Sequence, residues 1–371
     1  MTTTSAPPEA NVTARLSTLD RFLPVWIAAA MGIGLLLGRT FTGLNDVLDG
    51  IKIDTVSLPI ALGLLIMMYP VLAKVDYSKM GEVTADRRML ATSLILNWVI
   101  GPLLMFTLAW VFLPDLPAYR TGLIIVGLAR CIAMVLIWND LACGSGEMAA
   151  VLVALNSLFQ VFAYALLGWF YLDALPGWLG LGDGTVLDIS MWGIARTVLI
   201  FLGVPLLAGF LTRLWGVRIK GVEWYETTFI PRISPVALYG LLFTIVVMFA
   251  LQGDKITALP SDVVRIAIPL LSYFGIMWSF TFLVGYRMRF TYERNTALAF
   301  TAAGNNFELA IAVAIGVFGI SSGEALATVV GPLIEVPALI SLVYLALWAK
   351  RRFYAPAGLP TTARDRAQAA E

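Results

Sequence analysis

The chain has 371 residues, of which 59% are hydrophobic and only 13% charged, against about 25% charged in ordinary soluble domains. With 25 basic and 24 acidic residues, a net charge of +1, it offers no basic field to a nucleic acid. Histidine is absent, which removes the commonest metal ligand and the usual proton shuttle near neutral pH, so any proton coupling falls to carboxylates.

A mean hydropathy of +0.85 marks a polytopic helical membrane protein, in which each crossing takes about 20 mostly apolar residues. Residues 1–20 are polar and lack the basic, apolar and small-residue order of a cleaved signal peptide, so they read as a cytoplasmic tail. Spans are predicted at 22–41, 56–74, 88–113, 120–142 and 146–172, inside a first unit of residues 21–173. A periplasmic connection, 174–189, leads to spans at 190–213, 234–252, 262–286, 294–320 and 323–349, inside a second unit of residues 190–352. The stretch 353–371 mixes charge with Pro and Ala and reads as a disordered cytoplasmic tail.

Lys and Arg collect in alternate connections: Arg15 and Arg21, Lys74 to Arg88, Arg213 to Arg232, Arg287 to Arg294, and Lys350 to Arg366. The opposite side holds Arg39, Lys52, Arg120, Lys255 and Arg265. This bias puts both termini in the cytoplasm and requires an even number of spans, which ten satisfies.

One register places Gly127 on Gly304, Cys131 on Glu308 and Gly146-Glu147 on Gly323-Glu324, and Pro59-Ile-Ala-Leu resembles Pro235-Val-Ala-Leu at nearly the same offset. Five spans separate equivalent segments, and an odd number inverts the second unit in the membrane. The expected fold is all-α: ten transmembrane helices as two inverted five-helix repeats, with helices 4 and 9 broken at mid-depth. Gly304-Asn305-Asn306 interrupts the ninth span, because Gly and Asn are poor helix formers; the fourth has Gly127 there and no Asn pair.

The residues around these places carry the chemistry, since ionisable groups at membrane depth are expensive. Arg196 lies near an outer helix end, where its side chain can snorkel to the interface. Arg130 has no such escape and needs a carboxylate, a helix C-terminus or a water-filled cavity. Cys131 is a soft-ion ligand if a nearby cation favours its thiolate, and otherwise a small packing residue. Cys143 is read without a coordinating role, and the two cysteines do not form a disulfide framework. Glu308, held away from water, is suited to taking and releasing a proton; Glu335, between Pro332 and Pro337, is the rival proton site or a structural partner of the broken ninth helix. Asn97, Asn156, Asn305 and Asn306 either bind a neutral polyhydroxyl solute or hold helices together. Trp110 and Trp138 read as interface anchors, Trp138 also as a cap on the cavity.

Gly127-Leu-Ala-Arg-Cys-Ile-Ala-Met-Val-Leu-Ile-Trp-Asn-Asp-Leu-Ala142 resembles the core motif of the arsenical resistance-3 family of arsenite permeases, part of the bile acid/arsenite/riboflavin transporter superfamily. Gly304-Asn-Asn-Phe-Glu-Leu-Ala-Ile-Ala312, Val153-Ala-Leu-Asn-Ser157 and Gly331-Pro-Leu-Ile-Glu-Val-Pro337 resemble it too, over about residues 20 to 352. The resemblance implies a ten-helix, proton-coupled exporter of arsenite, in some members antimonite, in a bacterial inner membrane. It makes Cys131 the As(III) ligand and Glu308 the coupling carboxylate, and places Arg130, Trp138, Asn97, Asn156, Phe300 and Asn306 on positions of the family pattern. Sodium-coupled relatives carry a Glu where this chain has Ala302, a departure that favours protons as coupling ion. No cofactor is implied, nor an obligate protein partner, and no paired catalytic set points to an enzyme. The alternative is a sodium-coupled importer of an organic anion, with Arg130 binding the carboxylate.

Overall fold

The computed structural model describes residues 22–41, 52–53, 56–75, 86–132, 134–181, 191–258, 260–320 and 322–354. The tail at 1–20, residues 355–371 of the tail predicted from 353, and residues 182–189 of the predicted 174–189 connection lie outside the described residues. A bilayer interior gives backbone groups no water, so they must pair within the chain, and helices do this locally. The helices are α1 (Leu23–Thr40), α2 (Leu58–Ala73), α3 (Arg87–Phe112), α4 (Pro117–Leu128), α5 (Val135–Leu141) and α6 (Gly146–Trp178), then α7 (Met191–Lys220), α8 (Val222–Ala250, continuing to Ala258), α9 (Ser261–Arg287), α10 (Tyr292–Ala303), α11 (Phe307–Phe318) and α12 (Gly323–Tyr354). A two-residue antiparallel ladder, β1 (Lys52–Ile53) on β2 (Val56–Ser57), precedes α2.

Six of these helices, α3, α6, α7, α8, α9 and α12, are long and apolar enough to cross a membrane, and α1, α2 and α11 are shorter apolar helices. The chain is therefore an all-helical polytopic membrane protein in its described residues, apart from the small ladder. Besides the one that closes the described part of α12 (Lys350–Tyr354), four helices contain one wide i→i+5 turn inside them: Leu96–Ile100, Phe170–Ala174, Leu199–Gly203 and Tyr225–Phe229. Each ends two residues before a proline, namely Pro102, Pro176, Pro205 and Pro231. A proline ring has no N–H and crowds the carbonyl one turn earlier, and the wide turn absorbs that misfit without ending the helix.

The helices pack in two groups. In one, α1 and α2 lie on α8, and α7 lies on α2. Gly34 and Gly38 let α1 approach closely: a methyl group on Gly34 would meet Val246 O at 2.5 Å, and one on Gly38 would run into the Ala250 carbonyl. Small residues four apart are the usual means of such contact in membranes. In the other group α9 packs on α3, α10 and α12, and α12 on α4. The first part of α7 joins the groups by packing on α6 and α11.

Several predicted spans come out longer, the fifth running on to Trp178 and the tenth to Tyr354. The sixth and seventh run longer than their apolar cores, and only Gly221, at φ 87, separates α7 from α8. Arg213, Arg218, Lys220 and Arg232 therefore stand on helices, not in a connecting loop. The fourth and ninth spans are each two helices, α4 with α5 and α10 with α11. Arg196, on α7, is exposed.

Candidate functional site

The two interruptions meet. α4 ends at Leu128 and the chain turns extended at Ala129 (φ −84, ψ 114); α10 ends at Ala303 and the chain turns extended at Gly304 (φ −70, ψ 146). The extended segments run antiparallel and pair as a bridge between Arg130 and Asn305. The Cys131 amide donates to Gly304 O at 3.2 Å, and the Asn306 amide donates to Ala129 O at 3.0 Å. Backbone groups orphaned by one break are thus satisfied by the other, which explains how irregular backbone persists in the protein interior.

The break in the fourth span is the wider one, and Gly127 does not cause it. Gly127 is inside α4, where a methyl group would meet the Met105 side chain; its smallness serves helix contact. Asn306 starts α11 by accepting from the Leu309 amide at 3.0 Å, an N-cap. Glu308 follows in the first turn of α11.

Arg130 is fully buried, and its position answers what the sequence required of it. Nη1 donates to Tyr273 Oη at 2.8 Å and to Ala302 O at 3.3 Å, and Nη2 donates to Gly127 O. The guanidinium therefore caps the carbonyl ends of α4 and α10 together. Its own amide donates to Gln160 Oε1 at 2.8 Å. Among the described residues no carboxylate pairs with it.

Cys131 is buried at the crossing, with its side chain against Gly304. Neither cysteine is in a disulfide, and Cys143 lies past the end of α5 with φ 55. Glu335 is buried on α12. Among the described residues, Oε1 of Glu335, both side-chain polar atoms of Asn305 and Nδ2 of Asn306 have no hydrogen-bond partner. Such unpaired buried groups cost free energy unless water or a solute meets them.

Beside the crossing lies a cavity of about 220 Å³. Glu308, Ile132 and Met134 form its inner wall, and Lys74, Val75 and Ser234 stand on the wall given by the other packing group. Cys131 is next in sequence to Ile132 but is not on that wall.

The remaining candidates separate. Asn97 and Asn156 pair with each other at 3.4 Å; Asn97 Nδ2 donates to Ser93 O at 2.9 Å, and Trp98 Nε1 donates to Asn156 Oδ1 at 3.3 Å. Their amides join α3 to α6 and leave the crossing alone. Trp138 is 1% exposed, so it is a core residue and not an interface anchor; its Nε1 has no acceptor among the described residues. Trp110 packs under Arg120, whose Cζ lies 3.6 Å from the ring centre. Phe300 is buried on α10, edge-on to Trp278 at 5.9 Å. Gln160 and Tyr273 were not singled out from sequence; each is a lone polar side chain inside an apolar span, the same signal that marked the asparagines.

The chain matches the Sodium Bile acid symporter family over residues 61–259, more than half its length. It is 55% identical over 356 residues to the arsenical-resistance protein Acr3 of Corynebacterium glutamicum, covering 96% of each chain. It is 32% identical over 341 residues to the arsenical-resistance protein Acr3 of Alkaliphilus metalliredigens, covering 88% of this chain and 92% of the relative. An uncharacterized transporter of Synechocystis, slr0944, is 36% identical over 359 residues, 91% of each chain.

Proposed function

The chain belongs to the Sodium Bile acid symporter family and, within it, to the arsenical-resistance transporters, and on that premise we propose that it exports arsenite in exchange for protons across a bacterial inner membrane. It is a multi-pass transporter and not an enzyme. The observation that carries the proposal is the backbone pairing of two interrupted helices, one bearing Cys131 and the other Glu308.

In this reading α4 with α5 and α10 with α11 each count as one crossing, which makes ten. Residues 21–173 and 190–352 are the two repeats, 174–189 joins them outside, and 1–20 and 353–371 are cytoplasmic. The order of long, interrupted and long helix occurs twice, as α3 to α6 and as α9 to α12, which supports the inverted repeat. The basic connection that contains Lys74 makes the side of the cavity cytoplasmic by the positive-inside bias.

Arsenite near neutral pH is the uncharged As(OH)3, a soft centre with three hydroxyls. The Cys131 thiol displaces one hydroxyl as water, forming As–S as one As–O bond breaks, and water reverses the step on release. The Asn305 side-chain amide and Asn306 Nδ2, without partners among the described residues, suit the remaining hydroxyls. One thiolate is a weak clamp, as a carrier needs. Glu308 takes a proton from outside and gives it up inside, with Glu335 the rival proton site. Phe300 lies one turn before the crossing, its carbonyl accepting from the Gly304 amide, while Asn97 and Asn156 brace α3 against α6. Antimonite shares the thiol chemistry and is a second cargo.

The organic-anion alternative is less favoured, because both terminal nitrogens of Arg130 already donate within the crossing, to Gly127 O, Ala302 O and Tyr273 Oη. Uptake of As(III) into everted membrane vesicles under an imposed proton gradient tests the proposal. Sodium-driven uptake with no response to As(III) would overturn it.

A further inference from the structure

Arg130 places a permanent positive charge where two helix ends converge. Gly127 O and Ala302 O belong to the last turns of α4 and α10 and carry the negative ends of those helix dipoles. Tyr273 Oη, from α9, completes a set of three neutral oxygens around the guanidinium, at 2.8 Å for Tyr273 and 3.3 Å for Ala302. The sequence keeps the space for it: a methyl group on Gly101 would stand 2.7 Å from Nη1 and 3.2 Å from Tyr273 Oη. Carbonyl ends of interrupted helices in membranes are places where transporters hold small cations. Two such ends facing each other repel unless a positive charge lies between them.

We propose that the Arg130 guanidinium is a tethered counter-ion, standing where a mobile monovalent cation would otherwise be needed to hold α4 and α10 together. The crossing is then complete without sodium, and removing the side chain leaves an oxygen-lined cation site. The inference goes beyond the proposed function, since it concerns how the helix ends are held, whatever the cargo.

The test is the melting midpoint of the full-length protein in detergent, in sodium, potassium, choline or dilute guanidinium chloride at equal concentration. The wild type is expected to melt alike in all four. Arg130→Ala is expected to melt lower in choline and to regain about 3 °C or more with sodium or guanidinium. Arg130→Lys, which keeps the charge without the fork, should be indifferent to the salt. An Arg130→Ala variant equally stable in all four salts overturns the proposal. If that variant cannot be recovered folded, Arg130→Lys decides: a folded, salt-indifferent Lys variant supports the tethered charge, and one that fails as the Ala variant does refutes it.

Discussion

Cys131 stands directly against Gly304: its amide donates to the Gly304 carbonyl at 3.2 Å, and a methyl group on Gly304 would lie 2.9 Å from the Cys131 Cβ and 3.4 Å from its Sγ. The backbone of Gly304, at φ −70 and ψ 146, is open to any residue, so the glycine is needed for space. Gly304→Ala must push the paired segments apart or turn the thiol, at a cost of about 1–3 kcal/mol. The variant is expected to melt lower and to transport As(III) at least about tenfold more slowly, a factor worth about 1.4 kcal/mol. Wild-type transport by Gly304→Ala in vesicles would show that this contact is dispensable.

Access to the crossing is expected from one side. Ser234 is half-buried on the cavity wall, its hydroxyl donating to Ile230 O at 2.7 Å, whereas Cys131 is 3% exposed. With Cys143 replaced by Ala, a Ser234→Cys thiol should react readily with a membrane-impermeant maleimide applied to everted vesicles. Cys131 should react far more slowly in the same preparation. Equal labelling rates would contradict the burial of Cys131.

Much of this arrangement is legible in the sequence because burying polarity in lipid is so costly that each exception stands out. Arg130, Cys131, Glu308 and the Asn305-Asn306 pair announce themselves inside apolar runs. The break in the fourth span is less readable, because Gly127 signals a close helix contact with Met105 and the break after it has no residue of special propensity. It is held open by its partner segment, a long-range pairing that local pattern cannot express. Asn97 and Asn156 leave two readings open for a related reason: an amide at mid-depth marks a hydrogen bond, and only the fold shows that they meet each other across neighbouring helices. Gln160 and Tyr273 matter solely because they meet Arg130 in space.

A pH dependence is expected outside the spans. Asp115, between α3 and α4, accepts from both terminal nitrogens of Arg265, one of them at 2.8 Å. That hydrogen bonding, with a smaller contribution from backbone, holds the Asp115 carboxyl below its ordinary value of 3.8. A depressed carboxylate contributes stability that is present above the unfolded value and lost as pH falls through the lower folded value. Asp115→Asn is therefore expected to lower the melting midpoint slightly at neutral pH in dilute salt. The difference should shrink in high salt, because the pair is exposed, and vanish in strong acid. A difference that persists in strong acid would mean Asp115 acts through something other than its charge.

The central claim is that Cys131 carries the metalloid and Glu308 the proton. Everted vesicles energised by an imposed proton gradient test it most directly, with As(III) uptake and proton flux measured together for the wild type, Cys131→Ala and Glu308→Gln. The account predicts coupled uptake in the wild type, none with Cys131→Ala, and lost or uncoupled uptake with Glu308→Gln. Undiminished uptake by Cys131→Ala would contradict the thiol as ligand, and normal coupling in Glu308→Gln would move the proton to Glu335.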